Sequence, residues 1–469
     1  MEPMKSSGEG LPKIVLPGKP TYKKIAEDYD FFQLFRQIER KYKNCFLLES
    51  LGEESYVSRH HVIGFDPTTI IAAEGKKAIS ILNTRTNSKQ IYDVDNPYYA
   101  LREIFPDNVI SRRYAGGLVG YLGYDCVNYF ERTLDVKSSS SFEPFKFGVY
   151  RDGLIYDQMS GEIFYFHYDL NRFEEIEALL REPDLEYGAI DCEFLGDSMS
   201  QDQHRQAVLK TKADIAAGLI FQCEVGFKSR FRVTGDKTQI YAKLRDLNPS
   251  PHMYYVRFED QVIIGASPEL LFRLRNGEME SFPLAGTAKR GADKSQDLKL
   301  ARALLNDPKE IAEHNMLVDL HRNDVGKVAK FGTVKVRQLM DIKRYSHVQH
   351  ISSEICGIIR DDVDMFDALA ANFPAGTLTG APKVEAIKII DGLEPEGRGP
   401  YGGGLGQFSF NRDCTFAIPI RSVFISGEQA YAQTSGGNVY DSEPAAEYRE
   451  IERKLSAMKN VLNSFEKSA

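Results

Sequence analysis

Two pairs of glutamates, each with members three residues apart, are the sequence feature best suited to chemistry. Glu310 and Glu313 form the first pair, and Glu447 and Glu450 form the second, with Lys454 four residues beyond it. Residues at this spacing share one face of a helix, so each pair would present two carboxylates to the same side. Because Mg²⁺ prefers oxygen ligands, often one or two protein carboxylates with water and substrate, the two pairs together predict a magnesium site.

Both pairs also have a simpler interpretation. Glutamates at this spacing are common on solvated helix faces, and Glu310 could complete a capping box at the start of its helix. His314 directly follows Glu313. A lone histidine is more often a hydrogen-bonded structural residue, but beside a metal ligand it becomes a candidate for proton transfer.

Length and composition narrow the class of protein. The chain has 469 residues, enough for two or three domains or for one large interleaved domain. Its 42% hydrophobic and 27% charged residues are typical of a soluble globular enzyme, and its net charge of -8 argues against nucleic-acid binding. No apolar segment approaches the ~20 residues that cross a bilayer, and the N-terminus lacks the apolar core of a signal peptide. Six widely separated cysteines without a C-x-x-C pair predict reduced thiols in a cytoplasmic protein.

Two glycine-rich stretches, 376–383 and 402–407, were candidates for nucleotide binding. Neither matches G-x-x-x-x-G-K-[ST] or G-x-G-x-x-G, so we reject that function. Such turns can still present backbone N–H groups to a carboxylate, or they can be tight hairpins that need positive φ angles.

The order of predicted elements favours an α+β fold with mainly antiparallel sheets. Alternating apolar segments separated by Gly, Asn and Asp turns predict strands at 45–50, 62–65, 78–82, 117–122, 147–150, 162–166, 220–233, 256–274 and 278–283. Helical spacing predicts helices at 28–42, 171–181 and 201–217, one that begins at Asp307-Pro308, and a last one opened by Pro444.

A series of short motifs occurs in order along most of the chain. They are Leu-Leu-Glu-Ser at 47–50, Ile-Phe-Gln at 220–222, Asn-Pro-Ser-Pro at 248–251, Gly-Ala-Ser-Pro-Glu at 265–269, Pro-Leu-Ala-Gly-Thr at 283–287, Glu-His at 313–314, Gly-Ala-Pro-Lys at 380–383 and Arg-Gly-Pro-Tyr-Gly-Gly at 398–403. The motifs resemble those of the chorismate-utilising enzymes, and within that family those of the large subunits of anthranilate synthases. The resemblance implies a large two-sheet antiparallel sandwich with helices between and around the sheets.

The resemblance also implies a reaction, in which chorismate and ammonia give anthranilate and pyruvate in the presence of Mg²⁺. Glu313 and Glu450 resemble the direct ligands of the ion, with Glu310 and Glu447 beside them. Glu269 resembles the general acid that protonates the departing 4-hydroxyl group, and chemistry requires such an acid because hydroxide is a poor leaving group.

Further positions resemble the family's substrate contacts and its second catalytic step. The substrate contacts are Gly286, Thr287, Thr377, Tyr401, Arg421, Gly436, Gly437 and Lys454, and Thr287 also belongs to the catalytic set. Tyr401 and Arg421 match the positions that hold the enolpyruvyl carboxylate, which arginine can pair with bidentately. His314 matches the histidine that removes the ring proton as pyruvate is lost.

Two positions favour one reaction within the family. Gln222 stands where isochorismate and salicylate synthases carry a lysine that activates water, and a neutral amide cannot be a general base. Ala285 stands where typical 4-amino-4-deoxychorismate synthases carry a nucleophilic lysine, so the corresponding covalent intermediate cannot form. Both differences favour attack of ammonia at C2 of chorismate.

Two segments resemble the tryptophan pocket through which this family is feedback-inhibited. Their residues are Leu48, Glu49 and Ser50, and Asn248, Pro249, Ser250, Pro251, Met253 and Tyr254. Glu49 and Ser50 can accept hydrogen bonds from an α-ammonium group, whereas Pro251 and Met253 can pack against an indole. The alternative is an ordinary strand and turn, and His60, His61 and His252 depart from the family pattern.

The resemblance further implies a domain organisation and a partner. Residues 1–20 are expected to form a flexible arm, 21–181 an N-terminal regulatory sheet region, and 200–469 a chorismate-binding catalytic region interleaved with the N-terminal half, with 182–199 as a connection. No glutaminase triad is evident after Leu462, so a glutamine amidotransferase subunit is expected to supply ammonia in a heterotetramer. Two alternatives remain open, namely 4-amino-4-deoxychorismate synthase component I and a non-catalytic tryptophan-binding regulator.

Overall fold

Two twelve-stranded antiparallel sheets organise the chain, for which a computed structural model describes residues 10–25, 29–51, 59–107, 111, 113–345 and 348–466. The strands are β1 (Thr21–Lys24), β2 (Asn44–Glu49), β3 (His60–Phe65), β4 (Thr69–Ala73), β5 (Ala78–Asn83), β6 (Ser88–Asp93), β7 (Gly117–Leu122), β8 (Phe145–Tyr150), β9 (Asp152–Asp157), β10 (Glu162–His167), β11 (Ile190–Asp197), β12 (Gln222–Gly235), β13 (His252–Phe258), β14 (Gln261–Ser267), β15 (Leu270–Arg275), β16 (Glu278–Ser281), β17 (Leu284–Lys289), β18 (Lys335–Arg344), β19 (Val348–Ile358), β20 (Gly380–Ala381), β21 (Gly404–Ser409), β22 (Cys414–Ala417), β23 (Ser422–Ser426) and β24 (Gln429–Asn438).

Within the described ranges, ten α-helices accompany the sheets. They are α1 (Phe31–Lys41), α2 (Pro97–Ile104), α3 (Phe173–Leu180), α4 (Gln201–Ala216), α5 (Thr238–Leu247), α6 (Lys294–Leu304), α7 (Pro308–Gly326), α8 (Met365–Asn372), α9 (Lys383–Leu393) and α10 (Pro444–Asn463). Short 3₁₀ helices cover Tyr124–Tyr129 and Gly376–Leu378. No helix among the described residues is both long enough and apolar enough to cross a membrane.

Each sheet takes strands from both halves of the chain. The first sheet has the order β1-β10-β9-β3-β2-β13-β14-β23-β24-β12-β11, with β20 also paired to β12. The second has the order β17-β19-β16-β15-β22-β21-β7-β8-β4-β5-β6, with β18 paired to β19. Strand β2 therefore hydrogen-bonds to β13, about 200 residues further along the chain, and β7 to β21, about 290 residues further along. These sheets and their helices confirm the predicted α+β sandwich.

The apolar core has two main layers. The larger lies between the sheets and includes side chains such as Phe46 of β2 and Leu118 of β7. The second lies where α1, α3, α5 and α10 cover the outer face of the first sheet. Helix α1 shows the local cause, since Phe35 and Ile38 are fully buried on its apolar face and the Asp30 carboxylate accepts the N–H of Phe32 at its start.

Two predictions of organisation need correction. The segment 182–199, expected to be a connection, contains β11, which pairs antiparallel with β12 as the last strand of its sheet. An edge strand needs few buried side chains, and Phe194 and Leu195 stay exposed, so the apolar pattern was too weak to reveal it. Part of the predicted arm lies against the protein, because Leu11, Ile14 and Leu16 pack on the core and Ile14 N donates to Ile104 O at 2.8 Å. Residues 1–9 of that arm lie outside the described residues.

Candidate active site

Helix α7 carries the first glutamate pair towards strand β17. Its start is fixed by the predicted signal, since the Asp307 carboxylate accepts the N–H of Lys309 at 2.9 Å and Pro308 occupies the first turn. Glu310 forms no capping box, because Asp307 N donates to Leu304 O instead. Its Oε2 lies 2.8 Å from where a Cβ on Gly286 would be, so Gly286 leaves room for this carboxylate.

Helix α10 brings the second pair to strand β24. It buries the predicted apolar face, including Ile451 and Leu455, against the first sheet. Glu447 Oε2 lies 3.6 Å from the Cβ position of Gly436. Lys454 Nζ is 2.9 Å from Glu450 Oε1 and donates to the carbonyl oxygen of Ser435 at 3.1 Å.

The glutamates of α7 and α10 influence one another's pKa values. Burial, and then the negative charges of Glu224 and Glu310, raise the pKa of Glu313 to about 7. Burial is also the main cause that raises the pKa values of Glu310 and Glu447, and Glu450 adds to both. Burial acts in the same direction on Glu450, but the ammonium of Lys454 outweighs it and holds that pKa below its usual range. The cluster therefore has more carboxylates than cations, which is the charge pattern that a divalent cation would balance.

The donor chemistry of this cluster fits Mg²⁺. All four side chains offer oxygen, and Mg²⁺ usually takes one or two protein carboxylates and keeps several waters. Within the described ranges, no group of three or more His, Cys, Asp or Glu side chains is closed around one point.

Glu269 is buried in the segment that connects β14 of the first sheet to β15 of the second. Thr377 Oγ1 donates a 2.9 Å hydrogen bond to its Oε1. Burial raises the pKa of Glu269 to about 8, although the Thr377 hydrogen bond and the Arg421 charge oppose the shift. The carboxyl group is therefore protonated at neutral pH, as a general acid must be.

Arg421 and Tyr401 lie in the segments just before strands β23 and β21, and the charge of Arg421 acts on Glu269. Arg421 has a φ of 50° just before β23 and forms no ion pair with any residue in the described part of the chain. Burial lowers its pKa, while Tyr345 and Glu269 favour its charged form. Tyr401 is buried and its hydroxyl lies 3.0 Å from Ser435 Oγ. A partly buried guanidinium without a counterion is suited to receive a carboxylate from a ligand.

Strand β12 adds Gln222 and a carboxylate that the sequence analysis did not single out. Glu224 pairs with Gly437 in the sheet, and Ser435 Oγ donates to Glu224 Oε2 at 2.7 Å. Burial raises the pKa of Glu224. Alternate residues of a strand share a face, so the position of Glu224 two residues after Gln222 was the available signal.

His314 is fully buried on α7. Its Nε2 lies 2.7 Å from Ser353 Oγ of β19, and its Nδ1 has no hydrogen-bond partner among the described residues. Burial lowers the pKa of His314 to about 4, so the ring is neutral. No hydrogen bond or ion pair in the described structure joins it to Glu269 or Glu313.

Thr287 and Gly286 lie beside a second histidine, which the sequence analysis also missed. His350 Nδ1 is 3.1 Å from Thr287 Oγ1 and 2.9 Å from the carbonyl oxygen of Gly286. Burial lowers the pKa of His350 to about 4. The side chain thus fixes the β17 backbone opposite Glu310, where Gly286 has a φ of 63°.

The two predicted tryptophan segments are neighbours in the first sheet. Leu48 and Glu49 pair with Tyr254 and Met253, and Leu51 N donates to Ser250 O at 2.9 Å. Leu48, Glu49, Ser50, Pro251, Met253 and Tyr254 line a cavity of about 690 Å³, whereas Asn248, Pro249 and Ser250 do not line it.

Within this cavity, Glu49 is already engaged and Ser50 is not. Tyr241 Oη donates to Glu49 at 2.8 Å, and Arg245 Nε lies 3.0 Å from the same carboxylate. Ser50 Oγ is buried without a hydrogen-bond partner in the described part of the chain. The Ser50 hydroxyl therefore has an unused hydrogen bond, whereas Glu49 would have to share its bonds with a ligand.

The chain belongs to the family of chorismate binding enzymes, whose sequence profile matches residues 43–460. Within this class, a protein named anthranilate synthase component 1 from Leptospira biflexa is 51% identical and covers 97% of this chain and 98% of its own length. Another protein of that name, from Methanothermobacter thermautotrophicus, is 40% identical over 93% of this chain and 92% of its own.

Solved structures show the same similarity. The crystal structure of anthranilate synthase component I from Streptococcus pneumoniae superimposes with a TM-score of 0.75 and 31% sequence identity, over 86% of this chain and 93% of that one. The menaquinone-specific isochorismate synthase of Escherichia coli superimposes with a TM-score of 0.72 at 17% identity, over 96% of both chains. This second similarity concerns the fold alone.

Proposed function

We propose that this chain is the component of an anthranilate synthase that converts chorismate and ammonia to anthranilate and pyruvate. The observation that carries the proposal is a buried, protonated Glu269 close to Arg421, a guanidinium without an ion-pair partner. This pair matches a substrate with a hydroxyl leaving group and a carboxylate. The extensive identity to relatives named anthranilate synthase component 1 supports it.

In the first half-reaction, Glu269 acts as the general acid. Its proton passes to the 4-hydroxyl oxygen of chorismate as the C4–O bond breaks, and the hydroxyl leaves as water. The nitrogen lone pair forms the new bond at C2, the ring double bonds shift between the two positions, and the resulting ammonium group releases one proton to solvent. Thr377 keeps the Glu269 carboxyl in place through its 2.9 Å hydrogen bond.

Arg421 and Tyr401 bind the enolpyruvyl carboxylate in this proposal. This carboxylate would be the counterion of Arg421, which has no ion-pair partner in the described structure. The 3.0 Å contact with Ser435 orients the Tyr401 hydroxyl. The two side chains thereby fix which ring carbon faces Glu269.

Glu313 and Glu450 would hold Mg²⁺, with Glu310 and Glu447 beside them. When bound, the ion supplies positive charge that neutralises the ring carboxylate of chorismate. Lys454, which already contacts Glu450, keeps that carboxylate ionised and ready to bind.

In the second half-reaction, His314 takes the proton from C2. Its neutral ring offers an unbonded Nδ1 while Ser353 holds Nε2. As the proton leaves, the C3–O bond breaks, pyruvate departs and the ring becomes aromatic. Ammonia addition does not need this base, so the two half-reactions use different residues.

The side chains at two positions favour this reaction over its alternatives. Gln222 lies beside Gly437 and carries no group that could deprotonate water. Ala285 lies in strand β17 and carries no nucleophile. Because Gln222 cannot activate water and Ala285 cannot form a covalent intermediate, these positions favour the addition of ammonia at C2.

Regulation and supply of ammonia complete the proposal. Tryptophan would occupy the cavity of about 690 Å³ between Leu48 and Met253, with the Ser50 hydroxyl as a free polar contact. A glutamine amidotransferase subunit would supply ammonia, in keeping with the name component 1 of the relatives.

The test is a stoichiometric assay of the purified chain with chorismate, Mg²⁺ and ammonium. We expect anthranilate and pyruvate in equal amounts, and no reaction when glutamine replaces ammonium. Consumption of chorismate without pyruvate would instead support 4-amino-4-deoxychorismate formation. An absence of consumption would support a regulatory protein.

A further inference from the structure

Lys383, the lysine of the Gly-Ala-Pro-Lys motif, has no part in the reaction steps given above. It begins α9 and ends the stretch 376–383 that carries Thr377, which we call the Thr377 segment. Its Nζ lies 2.7 Å from Asp324 Oδ2 of α7, and the two side chains are only 12% and 5% exposed. This ion pair therefore joins α7 to the end of the Thr377 segment.

The Asp324 carboxylate stays ionised although it is buried. Burial acts to raise its pKa, but the charges of Lys383 and Lys327 outweigh burial and hold that pKa below its usual range. Burial lowers the pKa of the neighbouring His321 to about 4, so its ring is neutral and adds no charge. Lys327 lies one turn along α7 from Asp324, so the bond to Lys383 is the one that reaches the Thr377 segment.

Leu320 makes a second contact between α7 and the Thr377 segment. Its side chain lies directly against Gly376, where a Cβ would overlap it. Leu320 and Asp324 are four residues apart in the helix, so they lie on the same face of α7. This face therefore contacts both ends of the segment, at Gly376 and at Lys383.

The middle of the segment is held by other elements. Its strand β20 pairs with β12, and Arg398 Nη1 donates to the carbonyl oxygen of Leu378 at 2.7 Å. Between these bonds and the first contact with α7, Thr377 Oγ1 donates to Glu269 Oε1 at 2.9 Å. Because Glu269 lies in the connection from β14 to β15, a shift of the segment along α7 would lengthen this hydrogen bond.

We propose that the Asp324–Lys383 ion pair positions Thr377 for its hydrogen bond to the general acid Glu269. Lys383 and Asp324 are thus positioning residues, which touch no reactant and act through Thr377. Helix α7 also carries Glu313, so the helix that presents a proposed ion ligand supports the general acid as well. This inference rests on the proposed function and extends it to residues outside the pocket.

The test measures kcat/KM for chorismate consumption against pH, at constant free ammonia and saturating Mg²⁺. Burial raises the pKa of Glu269 most and Glu224 adds to the rise, whereas the Thr377 hydrogen bond and the charge of Arg421 lower it. Lys383→Met should weaken the Thr377 bond, so the decline of activity near pH 8 should move upward by about one pH unit. The value at neutral pH should fall roughly 10- to 100-fold, because the acid is misplaced.

A double-variant cycle separates positioning from a general loss of structure. Thr377→Val should move the decline upward by a similar amount, and adding Lys383→Met to it should move the decline no further. Lys327→Gln is the matched control, because it removes a cation from the same carboxylate, while its bonds to Asp324 and Ala371 lie outside the Thr377 segment. This control should leave the pH profile unchanged.

Asp324→Asn, which keeps the shape of the side chain, decides the matter if Lys383→Met does not fold, as judged by circular dichroism. The inference is overturned if the folded variants lose activity without a shift of the decline. It is also overturned if the shift persists in the Thr377→Val background, or if Lys327→Gln moves the decline as far. A wild-type chain that consumes no chorismate would refute the proposed function instead, which separates the two failures.

Discussion

At the scale of single residues, the protonation of Glu269 sets the pH dependence. A general acid works in its protonated form, and burial raises the pKa of this carboxyl to about 8. At constant free ammonia and saturating Mg²⁺, kcat/KM for chorismate should therefore be steady near neutral pH. It should fall as the pH rises through about 8, because the carboxyl then loses the proton that it must donate. A pH profile of initial rates measures this directly.

The variant Glu269→Gln identifies the group that causes this loss of activity. Glutamine keeps the shape and the Thr377 contact but has no acidic proton, so turnover should fall about 10²- to 10⁴-fold, the usual contribution of general acid catalysis. Its residual activity should no longer decline near pH 8. A decline that persists in Glu269→Gln would assign it to another group.

The isolation of His314 from Glu269 predicts separable half-reactions. His314→Met retains bulk in a fully buried position but removes the free Nδ1. The variant should still consume chorismate and should accumulate the amino-enolpyruvyl intermediate, which chromatography with mass detection can identify. Anthranilate release at the wild-type rate would refute the assignment of the ring-proton base to His314.

The sequence singled out candidate catalytic and binding residues, but not the residues that hold them in place. Gly286, Gly436 and Gly437, which were singled out only as substrate contacts, lie against Glu310, Glu447 and Glu224. Glu224, His350 and Ser353 were not predicted. Their importance comes from partners distant in sequence, and an isolated Glu, His or Ser carries no local signal of such contacts.

At the scale of elements, the start of α7 should control the metal requirement. The Asp307 carboxylate caps the helix that carries Glu310 and Glu313. Asp307→Ala should lower the free energy of unfolding by about 1 kcal/mol. It should also raise the Mg²⁺ concentration needed for half-maximal activity, because the first turn holds Glu310. Thermal unfolding and a magnesium titration measure the two effects.

Asp293→Ala is the control for this prediction. Asp293 caps α6 by accepting the N–H of Gln296 at 2.8 Å, and α6 carries none of the predicted site residues. Its loss should reduce stability similarly but leave the Mg²⁺ requirement unchanged. If Asp307→Ala and Asp293→Ala needed the same Mg²⁺ concentration, the α7 cap would have no influence on the ion site.

Helices with a clear apolar periodicity could be predicted from the sequence. Strands that are defined mainly by their hydrogen bonds to a neighbouring strand could not. Helix α10 was recognisable from Pro444 and its apolar face, and α7 from Asp307-Pro308. Strand β11 was missed, since hydrogen bonds to β12 define it and only one of its side chains, that of Cys192, is buried. The order of the strands in each sheet could not be predicted from the sequence, because pairs such as β2 with β13 join segments that are far apart in it.

At the scale of the whole molecule, the cavity near Ser50 is lined by residues of both sheets. Its walls include Leu48 and Met253 of the first sheet and Leu274 and Leu405 of the second. A ligand here can influence the chorismate site only if it favours one arrangement of the sheets over another. Ser50→Phe should fill the cavity and relieve inhibition by tryptophan, with turnover changed less than about twofold.

Calorimetry with tryptophan, in parallel with inhibition assays, checks this prediction. The wild-type chain should bind tryptophan and Ser50→Phe should not. Wild-type protein that binds no tryptophan, with or without an amidotransferase subunit, would remove the regulatory proposal. The catalytic proposal would be unaffected, because it rests on other residues.

The position of the new nitrogen tests the central claim most directly. The purified chain would be given chorismate, Mg²⁺ and ¹⁵N-labelled ammonium, and the product would be examined by NMR and by chromatography against the ortho and para isomers of aminobenzoate. We predict that ¹⁵N is bonded to the ring carbon next to the carboxylate, with release of pyruvate. Label on the carbon opposite the carboxylate would contradict the account. So would a labelled final product of the wild-type protein that still carries the enolpyruvyl group.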